Sequence, residues 1–256
     1  MNFFAASRQD RLVTPERLDQ LAPEDPLANG SRRDLRRVHR AMGTATILRG
    51  SLQRLGLPRM PRRVLELGAG DGSLMLRVAR ASRPLWRDVE LTLLDRVDVV
   101  DPQVRDGFRR LHWQVEVECV DVLDWANDAT APRYDLCTTT LFLHHFDAAT
   151  LATLLAAIAA RADAFLACEP RRCRLAQAGS RLVGLLGSNA VTRGDAVRSV
   201  AAGFAGRELT TAWTTALRGR SAMGEWATAE YAAGPFSQVF TAIRLAPPIR
   251  ELADER

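Results

Sequence analysis

The 256-residue sequence predicts an α/β fold, a doubly wound, mostly parallel sheet with helices on both faces. Three observations carry that prediction. From Arg63 onward, short apolar runs alternate with helical patterns. The first run leads directly into a glycine-rich turn, Gly68-Ala69-Gly70-Asp71-Gly72. The chain closes on two apolar runs joined by Ala233-Gly234-Pro235, the spacing of an antiparallel β-hairpin.

Residues 1–60 read as helical, ahead of a main domain at 61–250. Thr14-Pro15-Glu16 looks like an N-cap with proline at the first helical position. The stretch 21–30, with two prolines and a glycine, reads as a connection, and Ser31 as the cap of a long helix to about 54. Gly43 and Gly50 weaken the middle of that helix. Strands are predicted over 63–67, 90–95, 114–120, 135–139 and 164–168. Helices are predicted over 72–81, from Asp101-Pro102 to 111, and after an Asp147 cap, where Leu151, Leu154, Leu155 and Ile158 share a face. Residues 171–205 form a helical insertion, with helices over 172–186 and 195–204, placed to contribute to a substrate pocket. The hairpin strands span 225–231 and 236–245, and the charged tail 251–256 reads as frayed.

Composition excludes several classes. The net charge is +5 and every basic side chain is arginine, without one lysine. The arginines are scattered and not interleaved with aromatics, so nucleic acid is disfavoured as a partner. Cys119, Cys137 and Cys168 fall in strands predicted to be buried, and with Cys173 they form no zinc-ligand spacing. A reduced, cytoplasmic setting is expected, with no metal. Met1-Asn2-Phe3-Phe4 lacks the basic leader and apolar length of a signal peptide, and the longest apolar stretch, 151–160, is too short to span a bilayer.

A glycine turn between the first strand and first helix lies where doubly wound sheets bind ligands. A dinucleotide fingerprint would place its third glycine where Ser73 stands; here the glycine comes one place earlier, at Gly72. Glu66, two residues before Gly68, can hold a cationic ligand or accept backbone N–H groups of the turn. That departure disfavours a hydride-transfer enzyme.

Glu66-Leu67-Gly68-Ala69-Gly70-Asp71-Gly72 resembles motif I (E/D-x-G-x-G-x-G) of class I S-adenosylmethionine (SAM)-dependent methyltransferases. Three further stretches match in order. Leu91 to Asp95 resembles the second strand ending in the acid that binds the ribose hydroxyls, with Arg96 beside it. Cys119-Val120-Asp121-Val122 resembles the end of the third strand, where an acid takes the adenine amino group and the next N–H reaches the ring; Asp124 is a rival for that contact. Tyr134-Asp135-Leu136-Cys137 through Leu143-His144-His145-Phe146, which includes Thr139, resembles the fourth strand and the loop bordering the methyl donor. The resemblance implies a Rossmann-like seven-stranded sheet with the helices of 1–60 as a lid over the site, SAM as cofactor and S-adenosylhomocysteine (SAH) as product. It also implies a cofactor site of Glu66, Gly68, Ala69, Gly70, Gly72, Asp95, Arg96, Asp121, Val122 and Thr139.

His144 and His145 then sit where the methyl emerges, and one of them is expected to take a proton from the acceptor. Glu169, at the end of the fifth strand, can orient a histidine and stabilise its cation. The stretch Thr138-Thr139-Thr140-Leu141 differs from the N/D-P-P-Y tetrapeptide that accompanies planar amine acceptors. The chain is therefore similar to bacterial quinone- and polyketide-tailoring methyltransferases. A small molecule is expected as acceptor, oxygen before carbon, and the protein as monomer or homodimer. An RNA or protein methyltransferase, or a SAM-binding regulatory protein without catalysis, are the competing readings.

Overall fold

The computed structural model describes residues 10–57, 59–220 and 223–245. The leading residues Met1 to Phe4 and the tail 251–256 lie outside the described residues. Seven strands form one sheet in the order β3-β2-β1-β4-β5-β7-β6: β1 Arg63–Leu67, β2 Glu90–Asp95, β3 Gln114–Cys119, β4 Leu136–Thr140, β5 Ala164–Pro170, β6 Trp226–Ala233 and β7 Ser237–Arg244. The first five strands pair in parallel; β7 runs antiparallel to both β5 and β6. The sheet reverses at β1, from which one half of the chain winds toward β3 and the other toward β6. Such a switch point opens a crevice at the carboxyl ends of the strands.

Central strands bury both faces, so β1, β4 and β5 read as nearly continuous apolar or small residues. One core layer packs α2 (Thr44–Arg54), α3 (Ser73–Ala81) and α4 (Pro102–Arg109) around Trp86, Phe108 and Trp113. The other packs α5 (Val122–Asn127), α6 (Ala148–Arg161) and α9 (Glu208–Leu217) around Phe165, Trp213 and Phe240. Phe165 and Trp213 stack with centroids 5.6 Å apart.

Several local expectations fail for identifiable reasons. Thr14-Pro15-Glu16 starts no helix. The N–H groups of Arg17 and Leu18 go instead to the Asp195 carboxylate at 2.8 and 2.9 Å, and only a 3-10 turn forms at Leu18–Gln20. Helix α1 spans Pro26–Ala41, capped by Asp25 with Pro26 at its first position, so Ser31 is no cap. Ser31 is buried, and its hydroxyl meets Thr192 Oγ1 at 2.7 Å. Gly43, at φ +66°, separates α1 from α2 and divides the predicted long helix. Helices α5 and α9 were not expected: α5 is short, and α9 is threonine-rich, formed because Leu209, Trp213 and Ala216 bury one face. The insertion folds as α7 (Arg174–Arg181), a 3-10 turn (Val183–Leu186) and α8 (Ala190–Ala202), the last capped by Asn189. Cys119 is exposed, because β3 is an edge strand with one neighbour. No described helix is long and apolar enough to cross a membrane.

Candidate functional site

A cavity of about 580 Å³ opens at the carboxyl ends of β1, β2 and β4. Its floor is the glycine turn with Asp95, its far wall is Asp121-Val122, and its inner wall is the loop from Thr140 to Phe146. The N-terminal segment from Val13 to Gln20 and the inner face of α1 close it from above.

The turn is built for close approach. Gly68 and Ala69 donate N–H bonds to Leu94 O at 2.9 and 3.1 Å, which ties β1 to β2. Gly68 and Gly70 both take positive φ, +66° and +54°. A Cβ on Gly68 would stand 2.3 Å from the Phe142 ring, whereas one on Gly70 would meet nothing within 4 Å and would occupy cavity space. Asp95 braces the turn: Oδ2 accepts the Gly70 N–H and Oδ1 accepts the Arg96 N–H, each at 2.8 Å. Both oxygens keep a further lone pair for the hydroxyls of a ligand.

Of the predicted cofactor residues, Glu66, Gly68, Ala69, Gly70, Asp95, Arg96, Asp121 and Val122 line the cavity. Two do not. Gly72 faces the core, where a Cβ would stand 2.9 Å from Leu93 Cδ1, so its glycine serves packing. Thr139 is wholly buried inside the sheet, and Thr140 forms the wall instead, because the strand ends one residue later than expected. Asp121 Oδ1 caps α5 through the Leu123 N–H at 2.8 Å. Asp124 lies off the cavity wall.

Glu66 is buried, and its Oε2 has no partner among the described residues. Burial, with Asp71 and Asp95 nearby, pushes its pKa up to about 8. An unpartnered acid here suits a cation arriving with a ligand. Because the folded pKa lies above the unfolded value, the associated stability is complete below about pH 4.5 and disappears as pH rises through about 8. Glu66→Gln removes this titration. In urea unfolding without ligand, the stability of Glu66→Gln relative to wild type should increase by about 3–5 kcal/mol between pH 4.5 and 8.5. A difference that does not change with pH would show that Glu66 ionises freely in the folded state.

The histidine loop is held from beneath. Glu169, fully buried on β5, accepts the N–H groups of Phe142 (3.0 Å), Leu143 (2.9 Å) and His144 (3.3 Å), and its Oε2 also meets His144 Nδ1 at 2.9 Å. This grip follows Leu141, which sits at φ +52°, a left-handed conformation costly for a branched side chain. Glu169 itself does not reach the cavity. It matches the predicted orienting role in geometry but is a positioning residue.

His144 is almost fully buried, with Nε2 meeting Glu16 Oε1 at 3.2 Å. Burial disfavours its charge, but the hydrogen bonds and charges of Glu16 and Glu169 outweigh that and raise its pKa to about 9. An imidazole already protonated at neutral pH, with both nitrogens engaged, takes no proton from a substrate. His145 is more open, and its Nδ1 meets Asp19 Oδ2 at 3.1 Å. Burial opposes ionisation of Glu16 and Asp19, yet bonds to these histidines hold both carboxyls below their usual range.

Sequence reasoning missed Glu16, Asp19 and Ser199. Ser199 Oγ on α8 donates to Glu16 Oε1. His39 lines the cavity from α1 with Nδ1 3.2 Å from Thr44 Oγ1, and burial lowers its pKa to about 4, so it is neutral. Arg36 on the same helix pairs with Asp71 at 3.0 Å. A Pro-Glu pair read as a helix start gave no local sign that Glu16 would reach a histidine 128 residues away. Other hints resolve into packing. Arg172 is buried and forks onto Glu208 at 2.9 and 2.5 Å, Phe204 and Trp213 are core, and Leu182 to Leu186 lie off the cavity wall.

No protein-family model matches the chain, and no curated protein matches it. Solved structures do match in fold. The plantazolicin methyltransferase BpumL, solved with SAH, aligns at TM-score 0.59 and 14% identity over 89% of this chain and 94% of that one. The same enzyme with a monoazolic desmethyl analogue and SAH aligns at 0.56 and 13% over 84% and 90%. A Nostoc punctiforme protein described as an O-methyltransferase aligns at 0.51 and 17% over 79% and 56%. The chain therefore has the seven-stranded Rossmann-like fold of SAM-dependent methyltransferases.

Proposed function

We propose that this chain is a SAM-dependent methyltransferase that acts on a small molecule, at oxygen in preference to carbon. The observation that supports it best is a convergence. On a sheet of methyltransferase topology, the unpartnered Glu66, the open Gly70 and the Asp95 carboxylate share one cavity with the histidine pair.

These residues suit the cofactor. Asp95 would offer lone pairs to a vicinal diol, Asp121 and Val122 on the cavity wall would take an adenine edge, and Glu66 would offer a buried acid to an ammonium. When bound, SAM supplies a methyl group on a cationic sulfur. The protein's part is to align and to exclude water. Val13 to Gln20 acts as a lid, tied to the body by Asp195 and Ser199. With His144 already protonated, the acceptor oxygen would give up its proton beside His145, the more open member of the pair, and take up the methyl group that SAM would supply.

Calorimetry with SAM, SAH and NADH tests the reading. SAM and SAH should bind and NADH should not; tight NADH binding with no response to the other two would overturn it. Asp95→Ala should weaken SAM binding by about 1.5–3 kcal/mol, through lost hydrogen bonds to a charged group. Unchanged affinity would remove Asp95 from the site.

A further inference from the structure

Three side chains from distant parts of the chain meet at the top of the cavity. One ligand atom each of Glu16, His144 and His145 lies within 4.8 Å of the other two. The two imidazole centroids are 4.3 Å apart. Each ring is held through Nδ1 by a separate carboxylate, His144 by Glu169 at 2.9 Å and His145 by Asp19 at 3.1 Å. That is the arrangement of a metal-ligating histidine: a carboxylate behind the ring fixes the tautomer and leaves Nε2 for the ion. In His144, Nε2 already points at Glu16, 3.2 Å away, close to the spacing of two ligands on one small cation. Glu16 is oriented in turn by Ser199.

We propose that Glu16, His144 and His145 seat one divalent transition-metal ion, and that Glu169, Asp19 and Ser199 orient these ligands. Two imidazoles and one carboxylate favour zinc, iron or nickel over magnesium or calcium, which prefer oxygen-only shells. Three protein ligands leave a coordination position, and these side chains face the cavity. The carboxylates of Glu16, Asp19 and Glu169 surround the rings with negative charge that a dication offsets. The open position takes the hydroxyl oxygen of the acceptor, so the seat selects hydroxylated substrates; this last step alone rests on the methyl-transfer reading. The sequence, searched for neighbouring acids, gave no metal, because two of the ligands adjoin and the third is 128 residues from His144.

The test uses the full chain stripped with a chelator and titrated with Zn²⁺ by calorimetry, with Co²⁺ followed by visible absorption. One equivalent should bind, and Co²⁺ should develop d–d bands of a nitrogen- and oxygen-ligated site. Asp19→Asn should weaken binding by about 10–100-fold, and Glu16→Gln and His145→Gln, which remove ligands, should each weaken it more. Cys119→Ser, which removes the exposed thiol, should leave binding unchanged. No uptake, equal affinity in Glu16→Gln and His145→Gln, or loss of binding in Cys119→Ser would each overturn the seat. SAM calorimetry on the stripped protein separates the two readings. If SAM binds but Zn²⁺ does not, the metal seat falls alone. If Zn²⁺ binds as described but SAM does not, the methyl-transfer reading falls and the seat stands.

Discussion

Glu169→Ala is expected to lower the unfolding free energy by about 3–5 kcal/mol, the range for removing one partner of a buried charged pair. The side chain is wholly inaccessible and satisfies three backbone N–H groups and the His144 ring at once. Alanine leaves those donors and the His144 ring without their acceptor. It also releases Leu141 from the constraint that keeps it at φ +52°. In a domain of this size the melting temperature should fall by roughly 10 °C, at about 2–4 °C per kcal/mol. Glu169→Gln keeps one acceptor oxygen and should recover part of the loss. A drop under about 1 kcal/mol for alanine, well below what a buried charged pair is worth, would mean that the loop is held by something else.

Gly68→Ala is the second large effect, and Gly70→Ala is its control. The added Cβ at position 68 would overlap the Phe142 ring at 2.3 Å, and both neighbours are confined, so ring and turn must move apart. Overpacking together with positive φ for a non-glycine residue should cost about 2–4 kcal/mol of stability. Because the same turn carries the Gly70 N–H to Asp95, SAM affinity should fall with it. At Gly70 the Cβ meets no atom, so only the strain of φ +54° remains, about 1 kcal/mol, while the methyl intrudes into the cavity. Position 68 should therefore show strongly in both urea unfolding and calorimetry, and position 70 chiefly in calorimetry, with the smaller loss in urea. Equal stability for the two variants would show that Phe142 yields without cost.

How far the sequence could reveal this molecule depended on the range of the forces involved. β1 and β2 were legible to the residue, because an apolar run bounded by a glycine turn or by an acid is a local signal. The hairpin was legible for the same reason, through Gly234-Pro235. α9 was not, since its threonines favour no helix and what stabilises it is the tertiary burial of Leu209, Trp213 and Ala216. Within the site, the glycine turn, Asp95 and the histidine pair could be named from motif spacing. Gly72 and Thr139 were misplaced because a motif gives positions along the chain and says nothing about which way each faces. Glu16 and Asp19 were invisible because their partners are brought to them by tertiary structure alone.

The segment that roofs the cavity is held by parts of the chain far from it in sequence. Glu16 bonds across 128 residues to His144 and across 183 to Ser199, and the Arg17 N–H crosses 178 to Asp195. Loops of that length close late, after the entropy of bringing their ends together has been met by other contacts. Until α8 is in place, the roof lacks its ties to Asp195 and Ser199. The glycine turn beneath is braced by Asp95 across only 25 residues, so the floor of the chamber rests on near neighbours in sequence and its cover on distant ones.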